Sequence, residues 1–166
     1  MKDQFRRRHL VPLMMLLSVA LLFVGCTSFD IETPPEMVAI EHGNHNYVGM
    51  THDGVVMRVN VYSQGESSRD VPQGSHQFWL EATRERMRTA GGYALLDERD
   101  VVSSDGHEGS LLEFGRDQKL ERYLYWVVLF VTEDAIHVID VGGRHDRFRG
   151  AEDAVERALA SYVVKR

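Results

Sequence analysis

Among 166 residues the chain carries one cysteine, four prolines and two tryptophans. A single thiol excludes an internal disulfide, so an exported domain of this sequence must be held by packing alone. The patterns that mark common chemistries are also missing. No Gly-x-x-x-x-Gly-Lys-Ser/Thr or Gly-x-Gly-x-x-Gly run is present to cradle a phosphate. No Gly-x-Ser-x-Gly elbow presents a serine nucleophile. Positive charge is scarce, with 19 Lys and Arg against 25 Asp and Glu, and a surface of that sign repels polyphosphate. Nucleic acid is therefore excluded as a partner.

Only one long apolar run exists, and it lies at the front. Arg6-Arg7-Arg8 precedes an apolar stretch from Leu10 to Val24, followed by Gly25 and Cys26. About 15 apolar residues suit the core of a secretory signal and fall short of the roughly 20 that a membrane-spanning helix needs. Phe23-Val24-Gly25-Cys26 resembles the lipobox of bacterial lipoproteins, with Phe23 standing where that family usually has leucine. The resemblance implies that residues 1–25 are a signal peptide and that Cys26 becomes the first residue, carrying a diacylglycerol thioether and an amide-linked chain such as palmitate. Two or more acyl chains give stable attachment where one is marginal, at about 0.8 kcal/mol per buried methylene. Loss of the signal takes four basic groups and one acidic group from the totals, leaving 15 against 24, net −9. Attraction to anionic headgroups cannot hold such a domain at a membrane, so the acyl chains must. Thr27, rather than Asp, after Cys26 resembles outer-membrane sorting. The expected location is the cell membrane or outer membrane, with the domain facing the periplasm or exterior.

Residues 26–36, with Pro34-Pro35 and few apolar groups, read as a lipidated tether, and 37–166 as a single domain. Val55, Met57, Val59 and Val61 alternate with Val56, Arg58, Asn60 and Tyr62, the period of a strand. His52-Asp53-Gly54 supplies a turn to a preceding strand over 46–51. Ser75 is an N-cap and Gly91-Gly92 a stop for a helix whose His76, Trp79, Leu80, Thr83, Met87 and Ala90 share one flank. Two hairpins follow, one around Asp105-Gly106 and one around Glu133-Asp134. The run from Tyr123 to Val131 is apolar on both faces, which predicts a central strand covered on both sides. A closing helix is expected from about Gly150 to Val164. The fold class is α+β, an antiparallel sheet of five to seven strands between helical layers.

That element order, with Gly106-His107-Glu108-Gly109 before a strand, Tyr123-Leu124-Tyr125-Trp126-Val127-Val128 and a late helix, resembles the PsbP-like (Mog-like) fold over roughly residues 37 to 164. The resemblance implies a binding or assembly role by docking to larger partners, and carries over no active-site residue.

Candidate chemistry reduces to simpler explanations. His42 and His45 have an H-x-x-H spacing beside Glu41, yet one loop lacks the second element that zinc sites use, so they are weak metal candidates. His137 alternates with Ile139 and Val141 and is expected inside, neutral and bonded to a neighbour. His107 and Glu108 are adjacent strand residues and point apart. Arg84 and Arg88 interleave with Glu81 and Glu85 as a salt-bridged wet face. Gly142-Gly143-Arg144-His145-Asp146 reads as a turn several residues before the last helix. No catalytic residue and no cofactor are expected. The expected function is a lipid-anchored, non-catalytic interaction or assembly module of the envelope, held by acyl chains on Cys26 and docking an envelope protein through a sheet edge or apolar rim. The alternative is a small-ligand binder or hydrolase with its site between sheet and helix, lined by Trp79, Tyr93 or Trp126.

Overall fold

A computed structural model describes residues 27–44, 46–65 and 74–165. The signal segment, Cys26 and His45 lie outside the described residues. In chain order the elements are β1 (Phe29–Asp30), β2 (Met37–His42), β3 (Asn46–Thr51), β4 (Val56–Ser63), α1 (His76–Thr89), β5 (Ala94–Val102), β6 (Glu108–Gln118), β7 (Glu121–Val131), β8 (Ala135–Arg144), α2 (His145–Ala160) and β9 (Val163–Val164). Seven of the strands form one antiparallel sheet in the order β2-β3-β4-β8-β7-β6-β5, and β1 pairs with β9 apart from it. The architecture is the expected α+β, at the upper end of the expected strand number.

The two periodicities explain the layering. On one face Met57 and Val59 of β4 join Trp126, Val128 and Phe130 of β7 and Ile139 and Val141 of β8, all buried beneath Phe148, Val155 and Ala158 of α2. On the other face Val127 and Leu129 of β7 join Leu112 and Phe114 of β6 beneath Leu80 of α1. Strand β7 is thus apolar on both sides because each side has its own helix. Full burial of each such side chain stabilises by about 1.5–3 kcal/mol.

Helix α1 begins where the sequence places it, with the Ser75 hydroxyl accepting the Phe78 amide at 3.1 Å. It ends at Thr89, and the chain turns away at Gly92, whose φ of 65° allows the Tyr93 amide to donate to the Met87 carbonyl at 3.0 Å.

Two expectations are corrected. The closing helix starts at His145 and ends at Ala160, five residues ahead of the expected start, and Gly142-Gly143 belong to β8 rather than to a turn. These glycines are there for room: a Cβ on Gly142 would lie 2.5 Å from the Tyr125 ring, and one on Gly143 3.0 Å from Val55. The second correction concerns the tether. From Thr27 onward the chain is part of the domain, with Phe29 fully buried and Ile31 nearly so. Phe29 stacks on Tyr162 at 5.7 Å between ring centroids. The Ser28 carbonyl accepts from the Lys165 amide at 3.0 Å, the Glu32 amide donates to the Ser161 hydroxyl at 2.9 Å, and Lys165 Nζ donates to the Thr27 hydroxyl at 2.9 Å. Two anchoring side chains make no periodic signal, yet they suffice to seat a short strand.

Candidate functional site

Directly paired residues of adjacent strands share a face, so the register defines what α1 covers. One row crosses the whole sheet as Glu41, Val48, Arg58, Asp140, Val127, Leu112 and Glu98. The parallel row runs Val38, Met50, Val56, Gly142, Tyr125, Phe114 and Leu95. Helix α1 lies over the β5–β7 end of these rows. Arg84 fixes it there by donating to Glu98 of β5 at 3.0 Å, rather than to Glu81 on its own helix as the i, i+3 spacing suggested. Arg88 does pair with Glu85 as expected, at 2.8 Å.

No helix among the described residues lies over the β2–β4 half of the same face. Val38 is 68% and Ile40 61% exposed, beside half-exposed Met50 and Tyr62. Alternation places Ile40 on the side of Val38, and the bulge between Ala39 and Glu41 brings Glu41 round to that side as well. The outer strand β2 has no second strand partner among the described residues and carries little charge, whereas the opposite edge, β5, carries Asp97-Glu98-Arg99-Asp100. Charge on an edge discourages pairing with other chains, so β2 is the edge left open.

Where the covered half meets the open half, a cavity of about 420 Å³ enters beneath α1. Trp79 and Met87 of α1 form one wall, Val127, Leu129 and Val138 the floor, and Tyr62, Tyr125 and Asp140 the far side. Tyr125 donates from its hydroxyl to Asp140 Oδ2 at 2.8 Å, and the guanidinium of Arg58 lies 3.6 Å from the same oxygen. Burial raises the Asp140 carboxyl above the ordinary carboxylate range, although the Tyr125 hydroxyl and Arg58 both oppose that shift. Burial and the Asp140 charge together push the Tyr125 phenol well above its usual value, so it stays a proton donor. Of the aromatic residues expected to line a ligand site, Trp79 does. Tyr93 stands behind it, 5.5 Å from Tyr125 between ring centroids. Trp126 is on the opposite face, packed on Phe148 and donating its indole N–H to Glu113 at 3.0 Å. Asp140 was not legible as a site residue, because a single Asp in an apolar strand carries no motif; its place opposite Arg58 follows only from the register.

The histidines resolve one by one. His42 is exposed at the end of β2, its ring stacked on Phe29 at 6.1 Å and edge-on to Tyr47 at 5.5 Å between centroids. His45, its expected companion, is outside the described residues. No group of three or more His, Cys, Asp or Glu that could hold a metal occurs among the described residues. His76 Nε2 lies 2.9 Å from the Ser110 hydroxyl, a serine–histidine contact that the sequence reading missed. Ser110 is 4% exposed, so the contact pins the start of α1 to β6 rather than presenting a nucleophile. His137 is fully buried on β8, with Nδ1 2.7 Å from the Tyr162 hydroxyl. Burial, with His107 nearby, lowers it to about 4, against the opposing pull of Asp105. Tyr162 has no other acceptor among the described residues, so it donates to Nδ1 and leaves the proton on Nε2, which has no partner there. The Asp105-Gly106 turn is tied in beside this pair. The Val164 amide and the Ser103 hydroxyl donate to Asp105 Oδ1 at 3.0 and 2.7 Å, and His107 Nδ1 stands 3.0 Å from Oδ2 without hydrogen-bond alignment.

No protein-family model and no curated protein sequence matches the chain. Solved structures do. LpqN of Mycobacterium tuberculosis, described as involved in cell envelope biogenesis, is similar with a TM-score of 0.58 at 11% identity, over 83% of each chain. A Pseudomonas aeruginosa protein of unknown function is similar with a TM-score of 0.54 at 13% identity, over 84% of each. The cyanobacterial PsbP protein of Synechocystis is similar with a TM-score of 0.51 at 14% identity, over 90% of this chain and 98% of that one. At such identities the likeness is one of fold, and the fold is PsbP-like.

Proposed function

We propose that the chain is a lipid-anchored envelope module that acts by docking rather than by catalysis, with the uncovered β2–β4 half-face as its contact surface. One observation carries this reading: among the described residues no helix covers the β2–β4 half of the α1 face, and Val38 and Ile40 stay exposed there beside an edge strand with little charge. Contiguous apolar surface of that kind marks interaction sites. The envelope role of LpqN supports the setting. No helix among the described residues is long and apolar enough to cross a membrane; attachment through acyl chains on Cys26 rests on the lipobox-like Phe23-Val24-Gly25-Cys26. In this reading the module is non-catalytic: the buried imidazole of His137 and the cavity carboxyl of Asp140 lie on opposite faces of β8 and cannot act on one substrate.

The test is co-purification from detergent-solubilised envelopes. Val38→Lys with Ile40→Lys removes the apolar surface without touching the core, so stability should stay within about 0.5 kcal/mol while an envelope protein recovered with the wild type is lost. Unchanged recovery refutes the surface. A second reading, small-ligand binding, is favoured by the cavity beneath α1, whose volume falls within the roughly 300–1,000 Å³ of ligand sites.

A further inference from the structure

Resting on that second reading, we infer that the cavity beneath α1 binds a small organic ammonium ion with an aromatic or apolar body, its N–H donated to Asp140 Oδ1 and its body held between Trp79, Tyr62 and Tyr125. The walls are what such a ligand needs. Three aromatic side chains line one cavity with an apolar floor of Val127, Leu129 and Val138, and aromatic faces attract cations through their quadrupole. The recognition group is a carboxylate with one oxygen already engaged: Oδ2 takes the Tyr125 hydroxyl and Arg58. Oδ1 has no hydrogen-bond partner among the described residues, while Asp140 itself lines the cavity.

The charges nearby decide the sign of the ligand. Arg58 is half exposed and faces the occupied oxygen. Arg86 lines the cavity from the exposed side of α1, where water and salt screen it. Asp140 is the least exposed of the three charges, and its carboxyl remains raised despite both of its partners, so its ionised form is under-compensated. An ammonium supplies the missing donor and charge together. A carboxylate ligand would meet like charge, and an alcohol would supply the donor alone.

The experiment exploits the two tryptophans, one on each face of the sheet. Proton–nitrogen correlation spectra of the full-length chain resolve their indole N–H signals during titration with 2-phenylethylammonium, 2-phenylethanol and 3-phenylpropanoate. Saturable movement of the Trp79 signal by the ammonium, with the Trp126 signal still and the alcohol at least tenfold weaker, is the expected result. Asp140→Asn keeps an acceptor for Tyr125 and should weaken the ammonium by about tenfold or more, as loss of a charge-assisted contact does. Ala82→Leu narrows the cavity from α1 without touching Asp140 and should weaken all three probes. Equal binding of ammonium and alcohol, or an unchanged Asp140→Asn, overturns the ammonium inference while ligand binding stands. No saturable movement with any probe overturns both.

Discussion

Acid should loosen this domain through one ring, His137. It lies fully buried on β8 with Tyr162 on Nδ1 and nothing described on Nε2. Its proton affinity falls from the ordinary 6.5 to about 4. The sign follows from which state binds the proton. Above pH 6.5 the ring is neutral in both folded and unfolded chains and contributes no pH dependence. Below it the unfolded ring takes up a proton that the folded ring refuses until about pH 4, so stability is lost across that window and the loss levels off beneath it. At about 1.36 kcal/mol for each pH unit of separation, roughly 2 kcal/mol has gone by pH 5 and roughly 3 kcal/mol at the limit. The titratable neighbours do not cancel the effect. Asp105 remains ionised, since hydrogen bonds from Ser103 and Val164 outweigh its burial and hold it below the ordinary value, while His107 adds repulsion. Urea unfolding at pH 7 and pH 5, on wild type and His137→Asn, isolates the ring. Asparagine keeps an acceptor for Tyr162 but does not titrate, and every other histidine and carboxylate drops out of the difference between the two proteins. The gap between them should close by about 2 kcal/mol on going to pH 5. Parallel losses in both proteins would show that the buried ring is not the acid-sensitive element.

Phe29→Ala should lower stability by about 3–5 kcal/mol, as an emptied aromatic site in a core does, measured by the same urea titration; a residue in a free tether would give a change near zero. Cys26→Ala should leave the domain folded and move it from the membrane fraction to the aqueous fraction on fractionation of cells. Retention in the membrane would rule out acylation at Cys26 as the anchor.

Patterns that repeat were legible, and singular contacts were not. The alternation around Met57 and Val59, the two-faced run of β7, the Ser75 cap and the Asp105-Gly106 turn each rest on several residues that agree, so strand order by hairpins and fold class followed from the sequence. His137 was legible because a polar ring flanked by Ile139 and Val141 can only point where they point. The start of α2 was misplaced because Gly142-Gly143 carries the composition of a turn, whereas those glycines make room for Tyr125 and Val55 across the sheet. Strand β1 was missed for the reverse reason: Phe29 and Ile31 stand among Asp, Glu, Thr and Pro, and only the distant Tyr162 and Val164 give them a place. The candidate cavity is the extreme case. Trp79 and Tyr125 are unremarkable on their own elements, and Asp140 becomes a site residue only when β8 is laid between β4 and β7.

The docked N-terminal segment also limits which part of an acylated domain would lie near a bilayer. Thr27, one peptide bond and about 3.8 Å from Cys26, is already held by Lys165, so no ten-residue spacer intervenes between anchor and fold. The Ser28 amide donates to the Asn44 carbonyl at 3.1 Å, which places the β2–β3 hairpin tip at the anchored end. From that tip β2 runs back toward Met37 for six residues, about 20 Å at the usual strand rise. Were acyl chains carried on Cys26, the hairpin tip would lie close to the headgroups, with β2 and its exposed Val38 and Ile40 extending away from it. A free tether would let the domain tumble and present that face in every direction. A seated one would keep it within about 20 Å of the membrane, within reach from the side for any partner held in the same bilayer.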